Sequence, residues 1–317
     1  MGIQFIDGRQ GHVSLNIGGE NKDQDVFIDR RKNVGIVLII LAGYKPYLYE
    51  DVFDRVTTFA PKNIDICIAS SGLFDEQLNE LATKNYWSYL STTRNCVSLA
   101  QNIAIMLHPN AKFIYKMDED IFITEHCFET LMRTYEHAMR GMYDVGFVGP
   151  LIPLNPHGYV RVLEKLNLID VYERKFEPVK YIDTNFSLLQ KSSETAKFFW
   201  GEGNFIPSID KLNYRFQNEK FDYRPSFVHF NIACILLPRR TWEHMGGWHV
   251  PAEGTGMGMD EGQILSHCVI WSKGVIVSEN TLVGHFSFGG QTEEMKEYYE
   301  THREHFSLHD VYRPTII

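Results

Sequence analysis

The chain has 317 residues, a formal net charge of −9 at pH 7 and 44% hydrophobic residues, as expected of an ordinary globular protein. This composition excludes a disordered, a collagen-like or a disulfide-scaffold protein. The pI is about 5.8 and there is no long run of Lys or Arg, so the chain lacks the cationic surface that binds nucleic-acid phosphates. Nucleic acid is therefore not expected as a partner.

The spacing of the cysteines and the length of the longest apolar run indicate the cellular compartment of the protein. The five cysteines are odd in number, widely spaced and free of any C-x-x-C pair, which is typical of reduced, buried thiols. Residues 1–25 show no secretory pattern, and the longest apolar run, 34–43, is too short to span a bilayer. We expect a cytoplasmic protein whose membrane contact is at most peripheral, at the cytosolic face.

Strand-like and helix-like stretches alternate along the first half of the chain. The predicted strands cover residues 34–42, 64–69 and 113–117, and the predicted helices cover 49–59, 75–84 and 98–107. Thr124 is the predicted N-cap of a fourth helix, which Gly141 ends. Such alternation favours a doubly wound α/β sheet, whose ligands gather at the carboxyl ends of its strands.

The second half of the chain is less regular. Residues 155–226 are rich in aromatic residues, Asn, Lys and Glu, and we interpret them as an insertion rather than a separate domain. The elements predicted beyond it are a strand over 227–237, helices over 240–245 and 260–271, a strand over 275–277 and a charged, solvated helical tail over 293–309.

Three acids, Asp118, Glu119 and Asp120, follow the apolar strand at 113–117. At the edge of a sheet they would repel one another and lose water, and a divalent cation would compensate for both costs. In D-x-D, the side chains of Asp118 and Asp120 can point to the same side while Glu119 points away. Mg²⁺ or Mn²⁺ takes few protein carboxylates and leaves positions for phosphate oxygens, so the pattern indicates a metal–diphosphate site. An acidic loop that caps the next helix is the alternative.

Two later segments offer further chemistry. His285, after the strand at 275–277, would complete a set of oxygen and nitrogen ligands for Mn²⁺ with Asp118 and Asp120. The glycine-rich loop at 254–258 leads to an acidic pair, Asp260 and Glu261, at the start of a helix. The pair either complements the helix dipole or supplies a general base for an acceptor hydroxyl.

Five segments follow one another along the chain: N-C-V-S-L-A-Q-N at 95–102, F-I-Y-K-M-D-E-D at 113–120, L-P-R-R-T-W-E-H-M-G-G-W at 237–248, G-M-D-E at 258–261 and V-G-H at 283–285. In this order they resemble GT-A glycosyltransferases, especially family 2. The resemblance covers about residues 34–290. It implies a GT-A, Rossmann-like α/β domain over 34–290, with a mostly parallel twisted sheet flanked by helices and an acceptor-side insertion at 155–226. Residues 1–33 would be an extension and 291–317 a helical tail.

The resemblance also implies a nucleotide-sugar donor and assigns residues to it. Asp118, Asp120 and His285 would be the metal ligands. The donor-binding residues would be Ala42, Gly43, Tyr44, Ser70, Ser71, Arg94, Asn102, Asp118 and Glu119. The family's acidic pair reads Glu-Asp whereas this chain has Asp260-Glu261, so either residue remains a candidate base. Register favours Glu261, and side-chain reach argues equally for Asp260 if the helix begins one residue differently.

The resulting expectation is a Mn²⁺- or Mg²⁺-dependent hexosyl- or N-acetylhexosaminyltransferase of polysaccharide biosynthesis. It would move a sugar from a UDP-sugar to a hydroxyl of a glycan, lipid-linked or protein-linked acceptor, with inversion. A retaining GT-A enzyme, a metal-dependent phosphoesterase or nucleotidyltransferase, and a carbohydrate-binding protein are the alternatives. Trp200 either stacks on a sugar or packs in the core beside Phe198 and Phe199.

Overall fold

A computed structural model describes residues 3–8, 24–181 and 187–308. Residues 9–23 of the predicted extension and 309–317 of the predicted tail lie outside the described residues. The chain divides into two compact units, and the elements below are numbered along the whole chain. The first unit comprises Met1–Tyr47, Pro61–Glu119 and Cys234–Lys273, and the second comprises Leu48–Ala60, Asp120–Ala233 and Gly274–Ile317.

A mostly parallel sheet organises the first unit. Its described strands are β1 (Ile3–Asp7), β2 (Asp25–Asp29), β3 (Ile36–Leu41), β4 (Asp65–Ser71), β5 (Ser88–Thr92), β6 (Phe113–Asp118) and β10 (Cys234–Pro238). Its described helices are α2 (Glu76–Asn85), α3 (Val97–Leu107), α10 (Arg239–His244) and α11 (Met259–Ile270). The strand order is β1-β2-β5-β4-β3-β6-β10, and only the β2–β5 and β6–β10 pairs of this described sheet are antiparallel. The predicted α/β class is confirmed.

The central parallel strands bring their carboxyl ends to one edge of this sheet. In β3, the run IVLIIL is almost entirely buried, as expected of a strand that is covered on both faces. Leu41 at its end pairs with Ala69 of β4 on one side and with Asp118 of β6 on the other. The acids predicted to bind a metal therefore begin at the edge where a doubly wound sheet places its ligands.

The predicted elements of the first unit are largely confirmed, but strands β1, β2 and β5 were not predicted and one predicted strand is wrong in extent. The bounds of α2, α3 and α11 lie within one residue of those predicted. Strand β5 was not predicted, because S-Y-L-S-T is short and carries few apolar residues. The strand predicted over 227–237 is wrong in extent, since only Cys234–Pro238 pairs, alongside β6.

The second unit contains most of the helices and a smaller set of strands. Its described elements are α1 (Tyr49–Phe59), β7 (Ile121–Phe122), α4 (Cys127–Arg140), β8 (Val145–Leu151), α5 (Gly158–Leu166), α6 (Ile169–Lys175), α7 (Leu188–Lys191), α8 (Ser193–Phe199), α9 (Ile209–Gln217), β9 (Tyr223–Pro225), β11 (Gly274–Leu282), β12 (Gly284–His285) and α12 (Thr292–Thr301). Strand β11 is parallel to β8 and antiparallel to β9. The short strands β7 and β12 pair antiparallel and place His285 opposite Ile121.

Two predictions about helices of the second unit are wrong. Thr124 does not cap α4, because its hydroxyl donates to the carbonyl oxygen of Leu282. The residue before α4 is His126 in the left-handed conformation, while Gly141 ends the helix as predicted. The C-terminal helix is not a solvated face, because α12 buries Met295, Tyr298 and Tyr299.

All five cysteines are free and buried, which confirms that part of the prediction. Burial raises the pKa of the Cys268 thiol to about 12 and that of Cys67 further still. Of the helices that the structure describes, none combines the length and the apolarity needed to cross a bilayer.

The close packing of Trp200 on Gly284 yields a stability prediction. A Cβ at Gly284 would lie 2.4 Å from the Trp200 ring, whereas a Cβ at Gly289 would meet nothing within 4 Å. We expect Gly284→Ala to destabilise the fold by about 1–3 kcal/mol through this clash, and Gly289→Ala to change stability by less than about 0.5 kcal/mol. Thermal unfolding of both variants checks this, and equal midpoints would contradict it.

Candidate active site

A buried lysine stands beside the first of the three acids. Lys116 and Asp118 are two residues apart on β6 and share a face, with Nζ 2.6 Å from Oδ1. The Lys116 side chain is buried, while a third of Asp118 is exposed. Burial acts to lower the pKa of Lys116, but Asp118 and the acidic pair outweigh it, so this pKa is raised and the ammonium stays charged.

The second acid holds the loop that follows β3. The Glu119 carboxylate accepts hydrogen bonds from the backbone N–H groups of Gly43 (2.8 Å) and Tyr44 (3.1 Å). Gly43 has φ +144°, which favours glycine. Burial and the nearby Glu119 charge raise the pKa of the Tyr44 phenol, whose hydroxyl donates to the carbonyl oxygen of Ser71. Glu119 thus fixes a loop whose aromatic side chain remains half exposed.

The remaining predicted donor residues near this loop are buried in the sheet edge. Ala42 donates its N–H to Ala69 and is 4% exposed. Ser70 is fully buried and its hydroxyl accepts from Tyr89. The Ser71 hydroxyl accepts from the N–H of Cys96 at 2.6 Å. These side chains shape the edge, and Tyr44 is the one that the loop exposes.

The acidic pair at the start of α11 divides into a buried and a more accessible member. Asp260 is 5% exposed, and its Oδ2 accepts from Gln101 Nε2 at 2.7 Å while Oδ1 accepts from the Glu261 N–H at 2.9 Å. Both of its oxygens are therefore engaged. Glu261 is only partly buried. Of the two carboxylates, Glu261 is the more exposed.

Arg94 and Asn102 are used by the protein itself. The Arg94 guanidinium donates to the carbonyl oxygens of Pro251 and Gly254, in the loop before the acidic pair. The Asn102 side chain accepts from Trp242 Nε1 (3.0 Å) and from the Trp248 N–H (2.8 Å) and donates to the Trp248 carbonyl. Both residues anchor the segment that leads to α11, and these contacts place neither of them against the loop at Gly43.

In the second unit, the third acid meets the predicted histidine. The β7–β12 ladder brings Asp120 Oδ2 to 3.5 Å from His285 Nε2, and both side chains are 7% exposed. The His285 Nδ1 atom is buried without a hydrogen-bond partner. Trp200 donates its indole N–H to the carbonyl oxygens of His285 and Phe286 and is 3% exposed. Its core packing therefore excludes the stacking role.

The donor atoms present fit two neighbouring ligands of a divalent ion. Adjacent ligands of an octahedral ion, each about 2.1 Å from it, lie about 3 Å apart, close to the separation between Asp120 and His285. The third predicted ligand, Asp118, instead pairs with Lys116. Over residues 3–8, 24–181 and 187–308 no three His, Cys, Asp or Glu side chains are grouped to hold a metal. The predicted trio is thus not assembled.

Sequence reasoning missed two residues that support the site, Lys116 and Gln101, and the contacts of a third, Trp200. Lys116 had a signal in the sequence, because it is a lone lysine in an otherwise apolar strand, two residues before Asp118 and therefore on the same face. Gln101 had no signal, because its contact with Asp260 joins residues far apart in the chain. The hydrogen bonds from Trp200 to the segment around His285 likewise depend on tertiary packing.

Comparison with known proteins found neither a matching family model nor a matching curated sequence. Among the solved structures that resemble the chain are the following three. A mannosyltransferase from Pyrobaculum calidifontis in complex with GDP-Man and Mn²⁺ is 13% identical, with a TM-score of 0.49 over 84% of this chain. GalNAc-T7 with UDP, GalNAc and Mn²⁺ is 11% identical, with a TM-score of 0.45 over 87%. S. aureus TarS is 10% identical, with a TM-score of 0.32 over 38%. The aligned parts span 61%, 52% and 22% of those three chains.

The role of Glu119 as a loop anchor predicts a stability effect. Glu119→Gln replaces one of the two acceptor oxygens with an amide that cannot accept from the Gly43 and Tyr44 N–H groups. We expect a loss of about 1–3 kcal/mol in the free energy of unfolding. The exposed Glu253→Gln is the matched control and should change stability by less than about 0.5 kcal/mol. Urea titration of both variants measures this, and a wild-type value for Glu119→Gln would contradict the anchoring role.

Proposed function

We propose that the protein is a metal-dependent glycosyltransferase. It would move a hexosyl or N-acetylhexosaminyl group from a UDP-sugar to a hydroxyl of a glycan or glycoconjugate acceptor. The observation that carries the proposal is the buried pair Asp120 and His285, with side chains 3.5 Å apart. A carboxylate oxygen and an imidazole nitrogen, Asp120 Oδ2 and His285 Nε2, that face each other at this distance form a set of ligands suited to Mn²⁺ or Mg²⁺.

The loop after β3 is the donor side of this proposal. Its backbone is fixed by Glu119, and Tyr44 offers a half-exposed aromatic ring next to the end of β4. A planar base can stack on such a ring. In this proposal Glu119 acts indirectly, by positioning the Gly43 and Tyr44 backbone, and Ala42, Ser70 and Ser71 form the floor of the edge.

Asp120 and His285 would hold the ion. The ion, when bound, supplies positive charge that stabilises the departing nucleoside diphosphate. Lys116 forms an ion pair with Asp118 at the end of β6. A net-negative protein can hold a negatively charged donor in this way, since the ion offsets the local carboxylates.

Glu261 is the proposed general base. It lies at the start of α11, partly accessible, while its neighbour Asp260 is fixed by Gln101. A base in this role removes the proton of the acceptor hydroxyl as the oxygen attacks the anomeric carbon opposite the diphosphate, which inverts that centre. Asp260 then acts as a positioning residue for the helix start.

The metal assignment predicts a binding result. Isothermal titration of the protein with UDP should show binding that requires Mn²⁺. Because each variant removes one ligand, Asp120→Asn and His285→Ala should each weaken Mn²⁺-dependent UDP binding by at least about tenfold. Glu253→Gln should bind as the wild type does. Equal UDP affinity with and without Mn²⁺ would refute the metal site.

The base assignment predicts a kinetic result. With an activated nucleotide-sugar and Mn²⁺, Glu261→Gln should lower kcat by about 10²–10⁴-fold while leaving Mn²⁺-dependent UDP binding unchanged, because a base contributes to the chemical step. Asp260→Asn keeps a side chain of the same size beside Gln101 and should be less impaired. The anomeric configuration of the product, measured by NMR, decides the stereochemistry, and retention would overturn the role of Glu261.

A further inference from the structure

The end of α11 carries an apolar patch exposed to solvent. Three consecutive residues, Val269, Ile270 and Trp271, are 81%, 73% and 56% exposed. Single exposed apolar residues are common, but three large ones in succession at a helix end mark a contact surface. The backbone turns sharply there, because Ser272 has a positive φ of 53° and the Lys273 N–H donates to the carbonyl oxygen of Cys268. The patch therefore projects from the end of α11.

A cationic cavity adjoins this apolar patch. It has a volume of about 240 Å³ and is lined by Arg240, Thr241, His244 and Lys273. The two permanent cations and the imidazole face the same space, with a hydroxyl among them, which is the chemistry of a phosphate-binding pocket. A cavity of this size accommodates a phosphate group with its first waters.

Ring contacts join the cavity to the patch. The Trp271 ring lies 4.8 Å from the His244 ring, and His244 in turn contacts the His267 ring at 5.0 Å. His267 is 8% exposed and its Nε2 atom has no hydrogen-bond partner. Ring contacts thus link His244 of the cavity lining both to the buried His267 imidazole and to the exposed Trp271 indole.

We propose that this surface docks on a lipid bilayer, with the phosphate of an anionic lipid headgroup in the Arg240–Lys273 cavity and the Val269–Trp271 patch in the interfacial layer. Aliphatic residues and Trp are the side chains that partition into this layer, and nearby Lys and Arg add attraction to anionic lipids. The net charge of −9 does not oppose this, because at physiological salt a charge acts over a Debye length of about 8 Å. The contact is independent of the proposed transferase function.

Vesicle binding by the full chain tests the proposal. Co-sedimentation should show binding to phosphatidylcholine vesicles that contain an equal amount of phosphatidic acid, and weak or no binding to pure phosphatidylcholine vesicles. Trp271 fluorescence should shift to the blue on binding, since the indole enters a less polar layer. Trp87, Trp200 and Trp248 are buried and should contribute little to that shift. Trp242 is partly exposed, so Trp271→Phe is measured as well, and it should abolish most of the shift.

Three variants separate the patch and the cavity from nonspecific effects. Ile270→Glu should weaken vesicle binding by at least about tenfold, because it places a charge in the interfacial layer. Arg240→Glu should weaken it by about tenfold or more through loss and reversal of a cation. Met142→Glu adds the same single negative charge as Ile270→Glu, at a residue of the second unit that is 94% exposed. This variant should bind vesicles as the wild type does. Unchanged melting temperatures establish that each variant is folded.

The remaining outcomes overturn the proposal. These are no binding to anionic vesicles, equal binding to both kinds of vesicle, or equal loss in Met142→Glu and Ile270→Glu. Titration with soluble glycerol 3-phosphate distinguishes a lipid headgroup from a free phosphate. If the wild type binds that compound saturably but does not bind vesicles, and Arg240→Glu loses the binding of the compound, the cavity serves a soluble ligand instead.

Discussion

The burial of acidic side chains at the end of β6 is the constraint on which the site depends. Three successive carboxylates cannot leave water together unless each gains a partner. Each gains a different kind: Asp118 an ammonium, Glu119 two backbone N–H groups and Asp120 an imidazole. Three consecutive residues thus form an ion pair, backbone hydrogen bonds and a carboxylate–imidazole contact, in that order.

These different partners explain why the three acids have different roles. Glu119 is fully engaged with the backbone and so organises the chain. Asp118 is held by the buried Lys116 side chain, and a third of Asp118 is exposed. Asp120 lies 3.5 Å from the His285 imidazole. Asp118 and Asp120 thus contact side chains, whereas Glu119 contacts the backbone.

The acidic pair follows the same logic at the start of α11. Asp260 is buried and accepts from Gln101 and from the backbone, whereas Glu261 remains accessible. Arg94 and Asn102 hold the segment before this helix through contacts with Pro251, Gly254 and Trp248. The position of the pair therefore depends on residues that sequence reasoning had assigned to the donor.

Local pattern predicted the elements and the positions of the acids, because strand and helix periodicity and the D-x-D spacing are written in consecutive residues. It could not predict partners, since Gln101 with Asp260 and Trp200 with His285 meet only through tertiary packing. Thr124 shows the same limit: a residue with good capping chemistry hydrogen-bonds Leu282 instead. Strand β8 was missed because V-G-F-V-G-P-L contains two glycines and a proline, which argue against a strand.

The buried thiols described above provide an intrinsic reporter of local opening. A buried thiol is shielded from alkylating reagents. Alkylation must then wait for a transient opening that exposes the sulfur, so its rate measures the free energy of that opening. Cys67, Cys96, Cys234 and Cys268 lie in the first unit and Cys127 in the second, so the unmodified chain reports on each unit separately.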